Sequence, residues 1–352
     1  MKFTKTAAAL SVAAMLVMSA CTTPASPSAG PTDTPQSASQ APSSEPTGSG
    51  GALNITMLPK NLGNPYFDQS TAGAKEAGDE IGAKVEEVGP ADASPDSQVT
   101  YIETATQQKV SAVLVSANDA DALCDSIKSA QAAGVKVITF DSDTNCRDLF
   151  INQVSVDGVA TSLVEMIVDQ TGGSGEIAIL SATAQATNQN AWIEAVKKQL
   201  AEKPDIKLVD VVYGDDEDQK SFDETKALVS KYPDLKLIVA PTTVGIAAAA
   251  RYISTSDKNG KVLVTGLGTP GSMKDFIASG TVKEFALWNP KDLGYLATYA
   301  AQALVEGKVT GKEGDTFTAG RLGDYTVGPN GEVPLGPAFK FNAENIDQFP
   351  WG

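Results

Sequence analysis

Histidine is absent from the 352-residue chain, and cysteine occurs three times. Without imidazole there is no Ser-His-Asp triad, no Cys-His protease pair, no His-containing zinc site and no imidazole pH switch. Positive charge is also scarce: 27 Lys and Arg stand against 43 Asp and Glu, a net charge of −16. A phosphate polyanion needs a Lys/Arg surface, so this balance argues against nucleic acid as a partner. The apolar run at 7–18 is too short for a membrane span, which needs about 20 residues. What remains, 42% hydrophobic and 20% charged, is the composition of a soluble globular protein of about two domains.

The N-terminus reads as an address. Lys2 and Lys5 precede the apolar run, and Met18-Ser19-Ala20-Cys21 places small residues before a cysteine. Residues 1–20 thus resemble a bacterial lipoprotein signal peptide, which implies lipidation of Cys21. Residues 21–52 are Pro, Ser, Thr, Ala and Gly with almost no large apolar side chain. Such a stretch cannot bury enough surface to offset its ordering entropy, and reads as a disordered tether with a reach on the order of 30 Å. The leader's two lysines and the tether's Asp33 and Glu45 cancel, so the charge of −16 belongs to the folded body, 53–352.

In that body short apolar runs recur at 54–58, 112–116, 136–140, 176–180, 207–213, 237–240, 261–265 and 284–288. They are rich in Val, Ile and Leu without strict alternation, as in strands buried on both faces. Helical patterns lie between them at 73–81, 120–133, 190–202, 222–231, 244–253, 272–278 and 292–305. This rhythm predicts an α/β fold with parallel sheets covered by helices. In such sheets ligands bind beyond the carboxyl ends of the strands. The residues that follow the runs include Lys60, Asn64, Tyr66 and Phe67, then Asp141 and Asp143, then Asn188, Gln189 and Trp192. Pro241, Thr243, Gly268, Trp288 and Asn289 complete the set. Carboxylates, amides, hydroxyls, a lysine and aromatic rings at one edge suit a neutral polyol. Its hydroxyls exchange hydrogen bonds and its C–H face rests on an aromatic ring.

Asn64-Pro65-Tyr66-Phe67 in the first loop, Asp141 after a strand and Asn289-Pro290 near a late crossover carry a resemblance. Across nearly all of 53–352 the chain resembles the periplasmic sugar-binding proteins of ABC importers, the ribose-binding-like, type I group. It looks closest to the rhamnose-binding branch. The matching stretches are Pro241-Thr242-Thr243-Val244-Gly245-Ile246, Gly266-Leu267-Gly268-Thr269-Pro270, Phe285-Ala286-Leu287-Trp288-Asn289-Pro290 and Gly320-Arg321-Leu322-Gly323-Asp324-Tyr325-Thr326. The sister branch binds autoinducer-2. Lys60, Asp141, Gln189 and Pro241 match its pattern, whereas Asn188 and Thr243 stand where that branch has Asp and Ala.

The resemblance implies two Rossmann-like lobes joined by a three-crossover hinge, with the ligand in the cleft between them and closure around it. The expected lobes are 53–154 plus 289–322 and 155–288 plus 323–352. It implies ligand contacts from Lys60, Asn64, Phe67, Asp141 and Asp143 on the first lobe, and from Asn188, Gln189, Pro241, Thr243 and Gly268 on the second. Trp288 and Asn289 sit at the seam, where Trp288, like Tyr66, serves either the ligand or the core beneath the hinge. The implied function is capture of a monosaccharide, L-rhamnose or a related deoxy sugar, by an extracytoplasmic, lipid-anchored monomer. The sugar passes to a membrane permease driven by a separate ATPase; no cofactor and no covalent chemistry are involved, and the membrane is met through the lipid alone. Alternatives are an autoinducer-2 or pentose binder, or a sensor serving a histidine kinase. Cys124 and Cys146 remain as an even pair outside the cytoplasm, which favours a disulfide. The sister branch has cysteines at both places.

Three motifs carry competing readings. Asp141-Ser142-Asp143-Thr144 fits the nucleophile motif of magnesium phosphatases, but about three β/α units precede it where that fold normally opens with this strand. Gly266-Leu267-Gly268-Thr269-Pro270-Gly271 fits a dinucleotide loop, yet Trp288 stands where the acidic partner belongs. Asp215-Asp216-Glu217-Asp218 could suggest calcium, but reads as acidic residues complementing the dipole of the next helix.

Overall fold

The computed structural model describes residues 53–352. The expected signal peptide, Cys21 and the tether lie outside the described residues. The described chain opens with β1 (Asn54–Leu58), α1 (Pro65–Ile81), β2 (Lys84–Glu87), α2 (Pro95–Gln107), β3 (Ala112–Val115), α3 (Cys124–Ala132), β4 (Lys136–Phe140) and β5 (Leu149–Asn152). It continues with α4 (Val156–Thr171), β6 (Gly175–Ser181), α5 (Thr187–Leu200), β7 (Ile206–Tyr213), α6 (Asp218–Lys231), β8 (Leu235–Ala240), α7 (Thr243–Thr255), β9 (Leu263–Gly266), α8 (Pro270–Ala278) and β10 (Glu284–Leu287). The last part holds α9 (Pro290–Val305), β11 (Thr316–Thr318), β12 (Asp324–Thr326), β13 (Glu332–Pro334) and β14 (Phe339–Asn342).

Two parallel sheets carry the fold. The first runs β13-β5-β4-β3-β1-β2 and the second β7-β6-β8-β9. In each, the strand order reverses beside the first strand of the lobe, between β1 and β3 and between β6 and β8. Such a switch point splays the connecting loops apart and leaves a crevice at the carboxyl ends. The strands show why apolar runs without alternation mark these sheets. In β3, Ala112 and Leu114 join the large core, while Val113 and Val115 join a second cluster under α2 and α3. Each face of the pleat needs its own apolar set because side chains alternate sides.

The sequence reading misses β2, α2, β5 and α4. β2 is a half-exposed edge strand reading Lys-Val-Glu-Glu, and α2 buries only Gln98, Ile102 and Ala105. α4 opens Val-Asp-Gly-Val-Ala-Thr, a composition of low helix propensity that tertiary packing overrides. The third passage between lobes also differs from the expected 322/323 boundary. β13 pairs with β5 in the first sheet, and β14 pairs antiparallel with β10, so the chain crosses within 335–338. β13 is three residues long and ends in Pro334. A short proline-bearing stretch reads as loop unless it lies on a sheet edge.

Helix α9 returns to the first lobe and lies against α1. A Cβ on Gly73 of α1 would sit 1.8 Å from the Lys291 carbonyl oxygen, and one on Gly294 would sit 1.9 Å from that of Ser70. Two helices from opposite ends of the chain thus meet backbone to backbone, beside the seam between lobes. Gly73→Ala or Gly294→Ala is expected to destabilise the fold by about 1–3 kcal/mol through overpacking, read by urea denaturation; an unchanged midpoint would show that the helices separate freely.

A disulfide joins Cys124 to Cys146, with Cα atoms 5.5 Å apart and a sequence separation of 22. It pins the loop after β4 to the start of α3. Alkylation under non-reducing conditions is expected to find neither thiol free. Replacing both by Ser is expected to cost about 3 kcal/mol of stability.

Candidate functional site

The loops at the carboxyl ends of both sheets converge on one pocket. It holds about 360 Å³ of space unoccupied by protein atoms, part of it open to solvent.

The first wall starts from a buried amide. Gln98 of α2 donates through Nε2 to the carbonyls of Pro59 (2.9 Å) and Ser116 (2.8 Å), and its Oε1 accepts from the Asn118 amide (2.9 Å). One side chain thereby ties the ends of β1 and β3 together at the switch point. Asn118 Nδ2 in turn holds the Lys60 carbonyl at 2.9 Å. Lys60 is 3% exposed, and its ammonium donates to Asn188 Oδ1 of the other lobe at 2.8 Å. Asn64 caps α1: its Oδ1 accepts from the Tyr66 amide at 3.1 Å, and also from Thr243 Oγ1 across the cleft at 3.3 Å.

Asp141 follows β4 in the left-handed region, φ 61°, where aspartate is tolerated better than most residues with a Cβ. Its carboxylate accepts from Ser116 Oγ at 2.7 Å and Tyr66 OH at 3.0 Å. Tyr66 OH accepts in turn from Trp288 Nε1 at 2.8 Å. An indole at the seam is thus wired through a phenol to a buried carboxylate. From the second lobe, Asn188 Nδ2 approaches Asp141 at 3.4 Å. Gln189 Oε1 accepts from the Ala182 amide and Ser181 Oγ. Asp216 accepts from Thr242 Oγ1 at 2.5 Å. Phe67, Trp192, Trp288, Pro241, Leu267 and Leu287 supply the apolar walls, with Trp192 and Trp288 set edge to face at 5.8 Å.

Burial dominates the electrostatics. It lowers the Lys60 pKa against the opposing pull of Asp141 and Asp216. It raises that of Asp141 against Lys60, Ser116 and Tyr66. It raises that of Asp216 against Thr242 and Lys60, with Asp141 and Asp215 adding to the rise. The Tyr66 phenol is pushed up by burial and by Asp141, so it stays a donor.

The structure brings Lys60, Asn64, Phe67, Asp141, Asn188, Gln189, Pro241, Thr243 and Trp288 to this one pocket. Three foreseen residues lie elsewhere. Asp143 turns to Arg147, whose Nε and Nη2 each donate to its carboxylate at 2.9 Å. A guanidinium fork four residues away neutralises it and satisfies both oxygens. Asp141 and Asp143 therefore have separate partners and do not form the paired carboxylates of a magnesium phosphatase. Gly268 is packed, with Met273, Ile246 and Phe285 around the position of a Cβ. Asn289 caps α9, accepting from the Lys291 amide and donating to Asp292. Among the lining residues absent from the ligand set foreseen from sequence are Tyr66, Trp192 and Asp216. Tyr66 and Trp192 were in view as strand-end aromatics. Asp216, in the acidic run just before α6, lines the cleft as well.

Residues 55–309 match the periplasmic binding protein domain family. A sugar ABC transporter protein from Actinomyces odontolyticus is 51% identical, with a TM-score of 0.68 over 84% of this chain and 97% of that one. An ABC transporter solute-binding protein from Clostridium phytofermentas, with bound L-rhamnose, is 38% identical, with a TM-score of 0.82 over 85% of this chain and 98% of that one. LsrB from Clostridium saccharobutylicum, in complex with AI-2, is 26% identical, with a TM-score of 0.80 over 84% of this chain and 99% of that one.

The Trp288–Tyr66–Asp141 chain makes the carboxylate visible. Because the Asp141 pKa is raised, protonation on acidification is expected with a midpoint above the ordinary aspartate value of 3.8. It should appear in the intrinsic tryptophan fluorescence of the unliganded protein and vanish in Asp141→Asn. A midpoint at or below 3.8 would contradict the burial argument.

Proposed function

The chain belongs to the periplasmic binding protein domain family, a sugar-binding component of ABC import rather than an enzyme, and from that premise we propose that it captures L-rhamnose by closure of its two lobes. The observation that carries this reading is the set of hydrogen-bonding atoms left over in the cleft. An ammonium has three donors and Lys60 commits one of them to protein, Asn188. Asn64 and Gln189 use their amide oxygens on protein groups, which leaves their NH₂ groups for a ligand. Asp141 offers further lone pairs beyond its two hydroxyl partners. Donors and an acceptor surround a space walled by Trp192, Trp288 and Phe67. A deoxy sugar presents hydroxyls to the former and a methyl and C–H face to the latter.

Closure is favoured because ligand atoms touch both lobes at once. Direct bonds between lobes already exist, Lys60 to Asn188 and Thr243 to Asn64, so a ligand adds to a contact set that defines the shut state. The 38% identity to the L-rhamnose-bound protein supports the choice of sugar. AI-2 fits less well: Asn188 and Thr243 stand where the sister pattern has Asp and Ala, and an Asp-to-Asn change removes a charge and adds two donors, so the same ligand pattern is not read equally well. In this reading the protein works as a monomer outside the cytoplasm, held by a lipid on Cys21, and hands sugar to a permease with its own ATPase. Among the described residues no helix is long and apolar enough to cross a membrane.

Calorimetry with L-rhamnose, other deoxy sugars, pentoses and AI-2 tests the ligand; tighter binding of a pentose or of AI-2 than of L-rhamnose would overturn the choice. Asp141→Asn keeps the left-handed turn, since Asn also tolerates it, and is expected to lower L-rhamnose affinity about 10–100-fold by removing a charged acceptor. Unchanged affinity with an intact circular dichroism spectrum would place the sugar elsewhere.

A further inference from the structure

Asp216 is the one pocket carboxylate contributed by the second lobe among the described residues, and nothing in the family motifs points to it. Three observations set it apart. The first is its free oxygen. Oδ1 accepts from Thr242, while Oδ2 has no protein partner among the described residues and is not among the sealed, unpaired atoms. Asp216 lines the cleft. The second is backbone geometry: Asp215 and Asp216 both adopt φ 54°. Two consecutive non-glycine residues in the left-handed region are unfavourable and persist only where their surroundings hold them, which happens most at binding sites. The turn they make directs Asp216 inward, away from the exposed ion pair that Asp215 forms with Lys220. The third is charge. Lys60 makes no ion pair within 4.0 Å of either carboxylate, because Asn188 holds its ammonium. Asp141 and Asp216 together outnumber it, so the cleft holds more carboxylates than ammonium groups.

We propose that Asp216 is a specificity-determining ligand residue, accepting a hydroxyl of a neutral sugar through Oδ2 and, together with Asp141, excluding sugar acids from the cleft. This deepens the sugar-binding reading and rests on it. A hydroxyl placed between Asp216 and Lys60 donates to the carboxylate and accepts from the ammonium, so the ligand supplies the bridge that the protein leaves open. A uronate would instead place a third carboxylate opposite a single ammonium, a like-charge arrangement that specific sites use to reject competitors. Burial works against the ionised form of Asp216, so the unliganded protein keeps this charge at a cost in stability.

The test compares wild type with Asp216→Asn, which keeps the acceptor for Thr242 and removes the charge. Calorimetry with L-rhamnose is expected to show at least a tenfold loss of affinity. D-galacturonate should give no heat with wild type. Thermal unfolding without ligand at pH 7 should show wild type melting lower than the variant, by about 2–4 °C. A variant that melts lower than wild type and binds L-rhamnose unchanged would overturn the proposal, since Asp216 would then merely hold its loop. D-galacturonate binding as tightly as L-rhamnose would overturn the charge filter. Absence of L-rhamnose heat with wild type would sink the ligand reading alone; the ligand-free melting comparison would still decide whether Asp216 is held for binding or for the fold.

Discussion

Burial of charge in the cleft is the constraint around which the rest is arranged. Lys60 and Asp141 are 3% and 4% exposed, and each would be costly to bury without partners. The fold meets that demand with uncharged groups. Asn188 takes the ammonium, and the Ser116 and Tyr66 hydroxyls take the carboxylate. These partners come from α5, from the loop after β3 and from α1, so both lobes contribute to holding the charges. Most of the polar architecture at the strand ends, from the Gln98 tie to the left-handed turn at Asp141, keeps those partners in register.

The same arrangement separates positioning from binding. Amide oxygens of Asn64 and Gln189 are spent on backbone amides and hydroxyls, which orients their nitrogens toward the pocket. The Trp288 indole is spent on Tyr66, which fixes its ring as a wall rather than as a donor. A site built this way is preorganised, and little side-chain entropy is lost when a ligand enters.

Legibility from sequence divided along physical lines. The strands β1, β3, β4, β6 and β8 were readable because burial on both faces demands contiguous apolar residues. Edge strands such as β2 and β13 carry no such demand and read as loops. At the site, strand ends were readable because parallel sheets put their ligands there. Which strand-end residue faces inward was not. Asp141 and Asp143 are two apart in one loop, yet one is buried in the cleft and the other is taken by Arg147. Asp216 sits in an acidic run that continues into the exposed Glu217 and Asp218, and the left-handed turn it shares with Asp215 brings it to the pocket.

The α/β rhythm, the acidic body without histidine and the chemistry available at the strand ends all follow from local composition and periodicity. Where the chain passes between lobes for the third time, and which carboxylates face the buried Lys60, were settled by the assembled fold. Those outcomes depend on pairings between residues more than a hundred positions apart, such as Lys60 with Asn188 and Tyr66 with Trp288. No local pattern encodes a contact of that range; it is fixed by how the two sheets bring their strand ends together around a cleft.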